Sequence, residues 1–252
     1  MIPVSPIPLY HLISTAIQRR IEDGEYEVGA VLPTEAVLAA EFEVSRPTIR
    51  QALAELVQAG MISRRRGSGT YVLPAVQQRI GQRFKGSLAD LMAETKRTGV
   101  QDISVDRNHV MPSRIAGLLE LKEGVGTIVK RTRTMDGRAF AFTVNYLPEE
   151  YGRLLTTKEL RSHSLMALLE SNGVVFTGAR QSVRAQMATP DLTDRLGLPY
   201  SGAPVLFVER IVNGVDDQPV ELVHTWYRGD AYEYTVSFEF NQPNSDTFGR
   251  FA

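Results

Sequence analysis

Two sets of arginines in this chain are spaced as if to meet negative charge. Arg46, Thr48 and Arg50 fall within the five residues "RPTIR", and Arg64, Arg65 and Arg66 run directly into Gly67. A local cationic strip binds a polyanion by neutralising phosphates and releasing counterions. An arginine fork can also bridge guanine O6 and N7, which discriminates between bases by ~1–3 kcal/mol. Arg131 and Arg133 form the second set, two residues apart in "KRTRTM". On a strand they share one face. Two guanidinium groups on one face repel unless an anion or carboxylates lie between them, and Glu149 or Glu150 could serve as those carboxylates.

Other chemistries find little support. The chain has no cysteine, so neither disulfide nor thiolate metal site can form, which fits a reducing compartment. His11, His109, His163 and His224 are scattered, without metal-ligand spacing. There is no Gly-x-Ser-x-Gly elbow and no Walker loop, and "GSG" at 67–69 lacks the strand-helix setting of a nucleotide-binding loop. No catalytic residue, metal or cofactor is expected.

The elements around the first arginine set follow from apolar spacing. Leu12, Ile13, Ala16, Ile17 and Ile21 define a helix over 10–23, ended by Gly24 and an acidic stretch. Thr34 caps a second helix carrying Val37, Leu38 and Phe42. After the turn "EVS", Ser45 caps a third helix with Pro47 in its first turn. Ile49, Leu53, Leu56 and Val57 form its buried stripe, and Gly60 stops it. The third helix thus begins with Arg46, Thr48 and Arg50, and its two arginines are cations that oppose the helix dipole by up to ~1 kcal/mol unless an anion is near. "MISRRRGSGTYVL" predicts a hairpin with a glycine tip. Helix, helix, turn, helix and hairpin make a winged helix-turn-helix. Adjacent strand residues alternate faces, so Arg64, Arg65 and Arg66 cannot all face a duplex.

Residues 74–86 lack periodicity and are expected to be a linker. Beyond them the pattern is mixed. A helix is expected over "SLADLMAETKRTG", strands over "DISVDRNHVM", a hairpin about Asp136-Gly137, and helices over "SRIAGLLELKEG", "SLMALLESNG" and 190–196. Strands near 174–186 and over "PVLFVERIV", "PVELVHTWYRG" and "AYEYTVSFEF" complete it. The fold class is α+β with a largely antiparallel sheet. A two-residue turn at Asp136-Gly137 would pair Arg131 with Phe142 and turn Thr143 to the opposite face; an extra residue would bring Thr143 to the arginine face. The pattern leaves both registers open.

The chain has 252 residues, 43% hydrophobic and 23% charged, enough for two domains. Net charge is −1, so overall charge selects no partner. The first 75 residues hold seven arginines and eight acids, but between Arg46 and Arg66 only Glu55 is negative. No apolar run approaches the ~20 residues of a membrane span, and the start lacks the features of a signal peptide, so a cytoplasmic location without a membrane partner is expected.

Together, "PLYHLISTAIQRRI", "LPTEAVLAAEF", "VSRPTIRQALAELVQAGMI" and "RRRGSGTYV" resemble the winged-helix domain of GntR-family transcriptional regulators, over about residues 9–73. The resemblance implies operator contacts by Arg46, Thr48, Arg50 and Gly67, within a DNA-facing set that adds Thr34, Ser45, Arg64, Arg65 and Arg66. Relatives often have an arginine where this chain has Ala36, and a capping-box glutamate where it has Val37. "RTRTMDGRAF", "NYLP", "SLMALLE", "LGLPYSGAPVLFVERIV" and "QPVELVHTWYRGDAYEY" resemble the UTRA effector-binding domain of the HutC subfamily, whose fold is shared with chorismate lyase. This implies an anionic effector held by Arg131 and Arg133 with Ser87 and Ser164, and by Thr143, Glu221 and Tyr227 around the remainder. Sugar-phosphate-binding relatives often carry Glu at the Thr143 position and Tyr at the Met166 position, so effector specificity is expected to differ.

The expected organisation is a DNA-binding domain over 1–73, a linker over 74–86, an effector-binding and dimerisation domain over 87–245 and a loose tail over 246–252. The expected function is a homodimeric, ligand-responsive repressor. Its partners are a palindromic double-stranded DNA operator and a small anionic effector, a phosphorylated sugar or organic acid. The alternatives are a chorismate-lyase-type enzyme fused to a DNA-binding module, and an architectural DNA binder without an effector.

Overall fold

A computed structural model describes residues 7–65, 67–74, 80–84 and 99–236. Arg66, Ser87, the helix expected over 87–99 up to residue 98, and the tail lie outside the described residues. The N-terminal elements are α1 (Leu9–Glu22), α2 (Glu35–Glu41), α3 (Arg46–Gln58), β1 (Ile62–Arg65) and β2 (Gly69–Val72). Ile13, Ile17, Leu38, Ile49, Leu53, Leu56, Ile62 and Val72 meet in one core. The helical spacing in each segment places these side chains on one face, and that shared apolar face is what assembles the three helices. Thr34 Oγ1 accepts from Val37 N at 3.4 Å, and Ser45 Oγ accepts from Thr48 N at 3.4 Å, so both expected caps form. Gly60 takes φ 69°, the left-handed conformation that stops α3. β1 and β2 pair antiparallel, Ile62 opposite Val72 and Arg65 opposite Gly69.

Within the stretch expected to be a linker, β3 (Ile80–Phe84) forms and pairs in parallel with β10 (Tyr232–Val236). Local sequence carried no sign of this, because the pairing partner lies far along the chain. The larger sheet has the strand order β4-β5-β6-β9-β8-β7. These are β4 (Gly99–Val110), β5 (Val125–Met135), β6 (Arg138–Pro148), β7 (Phe176–Met187), β8 (Pro204–Gly214) and β9 (Pro219–Arg228). Helices α4 (Ser113–Leu118), α5 (Glu149–Gly152), α6 (Leu165–Ser171) and α7 (Pro190–Leu196) lie between them in the chain. Leu165, Leu168 and Leu169 of α6 join Val129 of β5 and Leu147 of β6 in a core on one side of the sheet.

The β5–β6 hairpin settles the register. Asp136 (φ 49°) and Gly137 (φ 76°) form its tip, the positive-φ pair that suits a tight hairpin turn. Met135 pairs with Arg138 and Thr134 with Ala139, but Arg133 pairs with Ala141. Phe140 is therefore the extra residue of a bulge. From there Arg131 faces Thr143, not Phe142.

The chain divides into two compact units, Met1–Arg79 with Arg184–Leu206, and Ile80–Val183 with Phe207–Ala252. In the first, Tyr200 meets the ring of His11 edge-on at 4.7 Å. Glu55 accepts from Ser14 Oγ at 2.6 Å, and its Oε2 lies 3.1 Å from His11 Nδ1.

Candidate functional site

The first candidate surface is the start of α3 with the adjoining wing. Arg46 and Arg50 are exposed, while Thr48 is half-buried and bonded to Ser45 through its hydroxyl at 2.8 Å. Arg50 donates from Nε and Nη2 to Glu35 Oε2, at 3.3 and 3.2 Å. Arg64 donates from Nη2 to Glu35 Oε1 at 3.3 Å and to the Arg50 carbonyl at 3.4 Å. Arg65 takes another course: its guanidinium lies 4.7 Å from the centre of the Tyr71 ring. Strand alternation separates Arg64 from Arg65 as expected. Gly67 has φ 75° with open space around the position a Cβ would occupy, so its backbone can approach a duplex closely. Glu35 was not among the residues singled out in the sequence. The only signal for it was an acid in the first turn of a helix, which macrodipole arguments already explain.

The second candidate site lies on the sheet. Arg131, Arg133, Thr143 and Tyr227 come together through register: Arg131 is opposite Thr143, Thr143 opposite Thr225, and Arg133 opposite Ala141, which is opposite Tyr227. Arg131 is 7% exposed, Thr143 5%, Glu221 1% and Tyr227 3%. Arg131 Nη2 donates to Asn145 Oδ1 at 3.3 Å, and Asn145 Nδ2 donates to Glu221 Oε1 at 2.5 Å. Asn145 thus bridges the buried cation to the buried acid. It was missed in the sequence, although it follows Thr143 by two residues and so shares its strand face.

The acid of this site is Glu221. Glu149, one of the two carboxylates considered for the arginine pair, instead accepts from Thr127 Oγ1 at 2.8 Å and from Asn108 N at 3.1 Å. Ser164 caps α6, accepting from Ala167 N at 3.0 Å, which leaves its hydroxyl hydrogen able to donate. Because α6 packs on Val129 and Leu147, Ser164 belongs to the helix covering the arginine face. Met166 is buried.

Burial perturbs the charged groups of this face. Burial first and then the neighbouring Arg133 pull the Arg131 guanidinium down, Glu221 offsets part of this, and the net result is about 10. Burial raises the Glu221 carboxyl above its usual range, against the pull of Arg131, Asn145 and Arg210. Arg131 Nε is buried with no hydrogen-bond partner. An unbonded buried donor on a charged group is costly, and an incoming acceptor would relieve it. The opposite face is different in kind. There His224 Nε2 lies 2.8 Å from Glu209, which also accepts from Arg114 at 2.8 Å, amid Phe207, Trp226 and Tyr146. Among the described residues no group of His, Cys, Asp and Glu is arranged to hold a metal ion. No helix among them is long and apolar enough to cross a membrane.

A winged helix with exposed arginines at the start of its third helix and on its wing, joined to a mixed α+β region with a polar cluster buried on its sheet, defines a ligand-responsive DNA-binding regulator. Residues 9–72 match the family of bacterial regulatory proteins called the gntR family, and residues 93–233 match the UTRA domain. The chain belongs to the GntR family and carries a UTRA domain. It is similar to the HTH-type transcriptional repressor NagR of Bacillus subtilis, at 26% identity over 91% of this chain and 94% of that protein. The HTH-type transcriptional repressor PhnF of Mycolicibacterium smegmatis is 29% identical over 92% of this chain and 93% of its own length. A crystal structure of PhnF from Mycobacterium smegmatis matches with a TM-score of 0.56 at 25% identity, covering 90% of this chain and 99% of that one. The mannosyl-D-glycerate transport/metabolism system repressor MngR of Escherichia coli is 27% identical over 91% of this chain and 95% of its length.

Proposed function

We propose that this chain is a cytoplasmic repressor of the HutC type that binds a palindromic operator as a homodimer and changes its grip on DNA when a small anion occupies the Arg131 face. Residues 1–73 read DNA, 74–86 link, and 87–245 bind effector and dimerise. The chain is a regulator and not an enzyme. The observation that carries the effector reading is the buried, unbonded Nε of Arg131 beside Arg133. A phosphate or carboxylate would accept from it on a face that carries two guanidinium groups. Thr143, Ser164, Glu221 and Tyr227 would meet the remainder of a phosphorylated sugar or organic acid. Ser87 is assigned on resemblance alone. Relatives named as repressors, one of them of a mannosyl-D-glycerate system, support both the direction of regulation and an anionic, sugar-like effector.

The test is thermal unfolding of the full chain against a panel of sugar phosphates and organic acids. The effector, at 100 times its Kd, should add ~2.7 kcal/mol of stability. Arg133→Ala should remove that gain. A panel that stabilises wild type and Arg133→Ala alike would overturn the assignment. Turnover of chorismate would favour the enzyme reading instead.

A further inference from the structure

Glu35 stands between the two arginines that the DNA reading needs most, and stability alone gives a poor reason for it. Its side chain is 30% exposed, that of Arg50 64% and that of Arg64 39%. Ion pairs this exposed contribute ~0–1 kcal/mol each and order long side chains in return. A carboxylate so near a DNA-reading surface also repels phosphates. Its geometry, however, is specific. One oxygen takes both Nε and Nη2 of Arg50, and the other takes Nη2 of Arg64. Arg64 also reaches the Arg50 carbonyl, so the wing strand and α3 are tied through one acid on α2. A guanidinium held along its Nε side presents its Nη1 edge outward, and two parallel N–H groups on an arginine are what read guanine O6 and N7.

We propose that Glu35 is a positioning residue for sequence reading: it fixes the guanidinium planes of Arg50 and Arg64 and restrains both from binding phosphates indiscriminately. This rests on the DNA-binding role of α3 and the wing. Without Glu35, Arg50 swings freely on its flexible stem and Arg64 keeps only its bond to the Arg50 carbonyl. Each freed cation gains phosphate contacts, and each such contact steepens the dependence of log affinity on log salt by ~0.9. The loss falls on discrimination, because an unrestrained fork no longer arrives at one base edge in one orientation.

The experiment begins with selection of duplexes from a random pool by the full wild-type chain. Wild type, Glu35→Gln, Arg50→Ala and the double variant are then titrated on the enriched duplex and on a scrambled one at several salt concentrations. Thermal unfolding of each variant checks that it is folded. Glu35→Gln should bind the scrambled duplex more tightly, with a steeper salt slope. Its ratio of specific to scrambled affinity should fall by roughly 10-fold, the scale of one bidentate base contact. The base position whose preference relaxes should be the one that relaxes in Arg50→Ala, and the double variant should lose no more there than Arg50→Ala alone. A folded Glu35→Gln with wild-type ratio and slope overturns the proposal while leaving the DNA reading intact. A uniform weakening on both duplexes, without change at that base position, overturns it in favour of a structural role. A wild-type chain that enriches no sequence removes the DNA reading and this proposal with it.

Discussion

Arg131 and Glu221 are both buried, but they differ in how they can shed an unpaired charge. Glu221 has its carboxyl already raised by burial, so once its cation is gone it can shed its charge by taking up a proton. Arg131, even pulled down to about 10, stays charged at neutral pH. Breaking a buried pair by removing one partner costs about 3–5 kcal/mol when the survivor cannot neutralise. Glu221→Gln is therefore expected to lose about that much, and Arg131→Met clearly less. The sign with pH follows from the raised carboxyl. In Arg131→Met, Glu221 contributes full stability below the ordinary carboxylate range and loses it as pH rises through its higher folded-state value. Added phosphate should recover Glu221→Gln more than Arg131→Met, because only the former keeps the buried cation. Denaturant unfolding of both variants across pH checks the order, and the reverse order would show that Glu221, not Arg131, is the isolated charge.

At the scale of elements, the turn between α2 and α3 holds Glu43 at φ 54°, in the left-handed region, directly after the α2 cap. A side chain there costs roughly 1–2 kcal/mol, while glycine loses about 0.5–1 kcal/mol more entropy on folding than other residues. The first effect is the larger, so Glu43→Gly should stabilise the chain by up to about 1 kcal/mol, read from the denaturation midpoint. A loss of stability would mean that the Glu43 side chain holds the turn through a contact of its own. The helices, caps and wing were legible in the sequence because each is set by neighbours within a few residues: Thr34 to Val37, Ser45 to Thr48, Gly60 after α3. The β5–β6 register was not. It depends on Phe140 being accommodated as an extra residue, and that is decided by strands packing across the sheet. Phe140 is buried, with its ring 6.3 Å from that of Tyr227 on β9. The same limit hid Asn145, whose partners Arg131 and Glu221 lie 14 and 76 residues away. Strand β3 went unseen for the same reason, since its partner β10 is near the other end of the chain.

For the whole molecule, the proposed function requires that an anion at Arg131 alter the grip of Arg50 on DNA. The chain crosses between its two compact units three times, at residues 79/80, 183/184 and 206/207. The 74–86 stretch is thus one covalent connection among three. Residues 184–206 lie within the UTRA match and yet within the first unit. Regulation on this plan requires that the effector favour one global state and the operator another, and the coupling free energy is then the same seen from either site. If the effector weakens operator binding by some factor, saturating operator must weaken effector binding by that same factor, with 5–150-fold the usual scale of such coupling. Arg133→Ala should abolish the effector's influence while leaving operator affinity without effector nearly unchanged. Arg50→Ala should lower operator affinity while leaving effector affinity in the absence of DNA unchanged. Calorimetric titration of effector into the free chain and into its operator complex, paired with operator titrations with and without effector, measures both sides. Unequal factors would mean that the two ligands do not share one pair of states. Equal factors that persist in Arg133→Ala would move the effector site away from the arginine face.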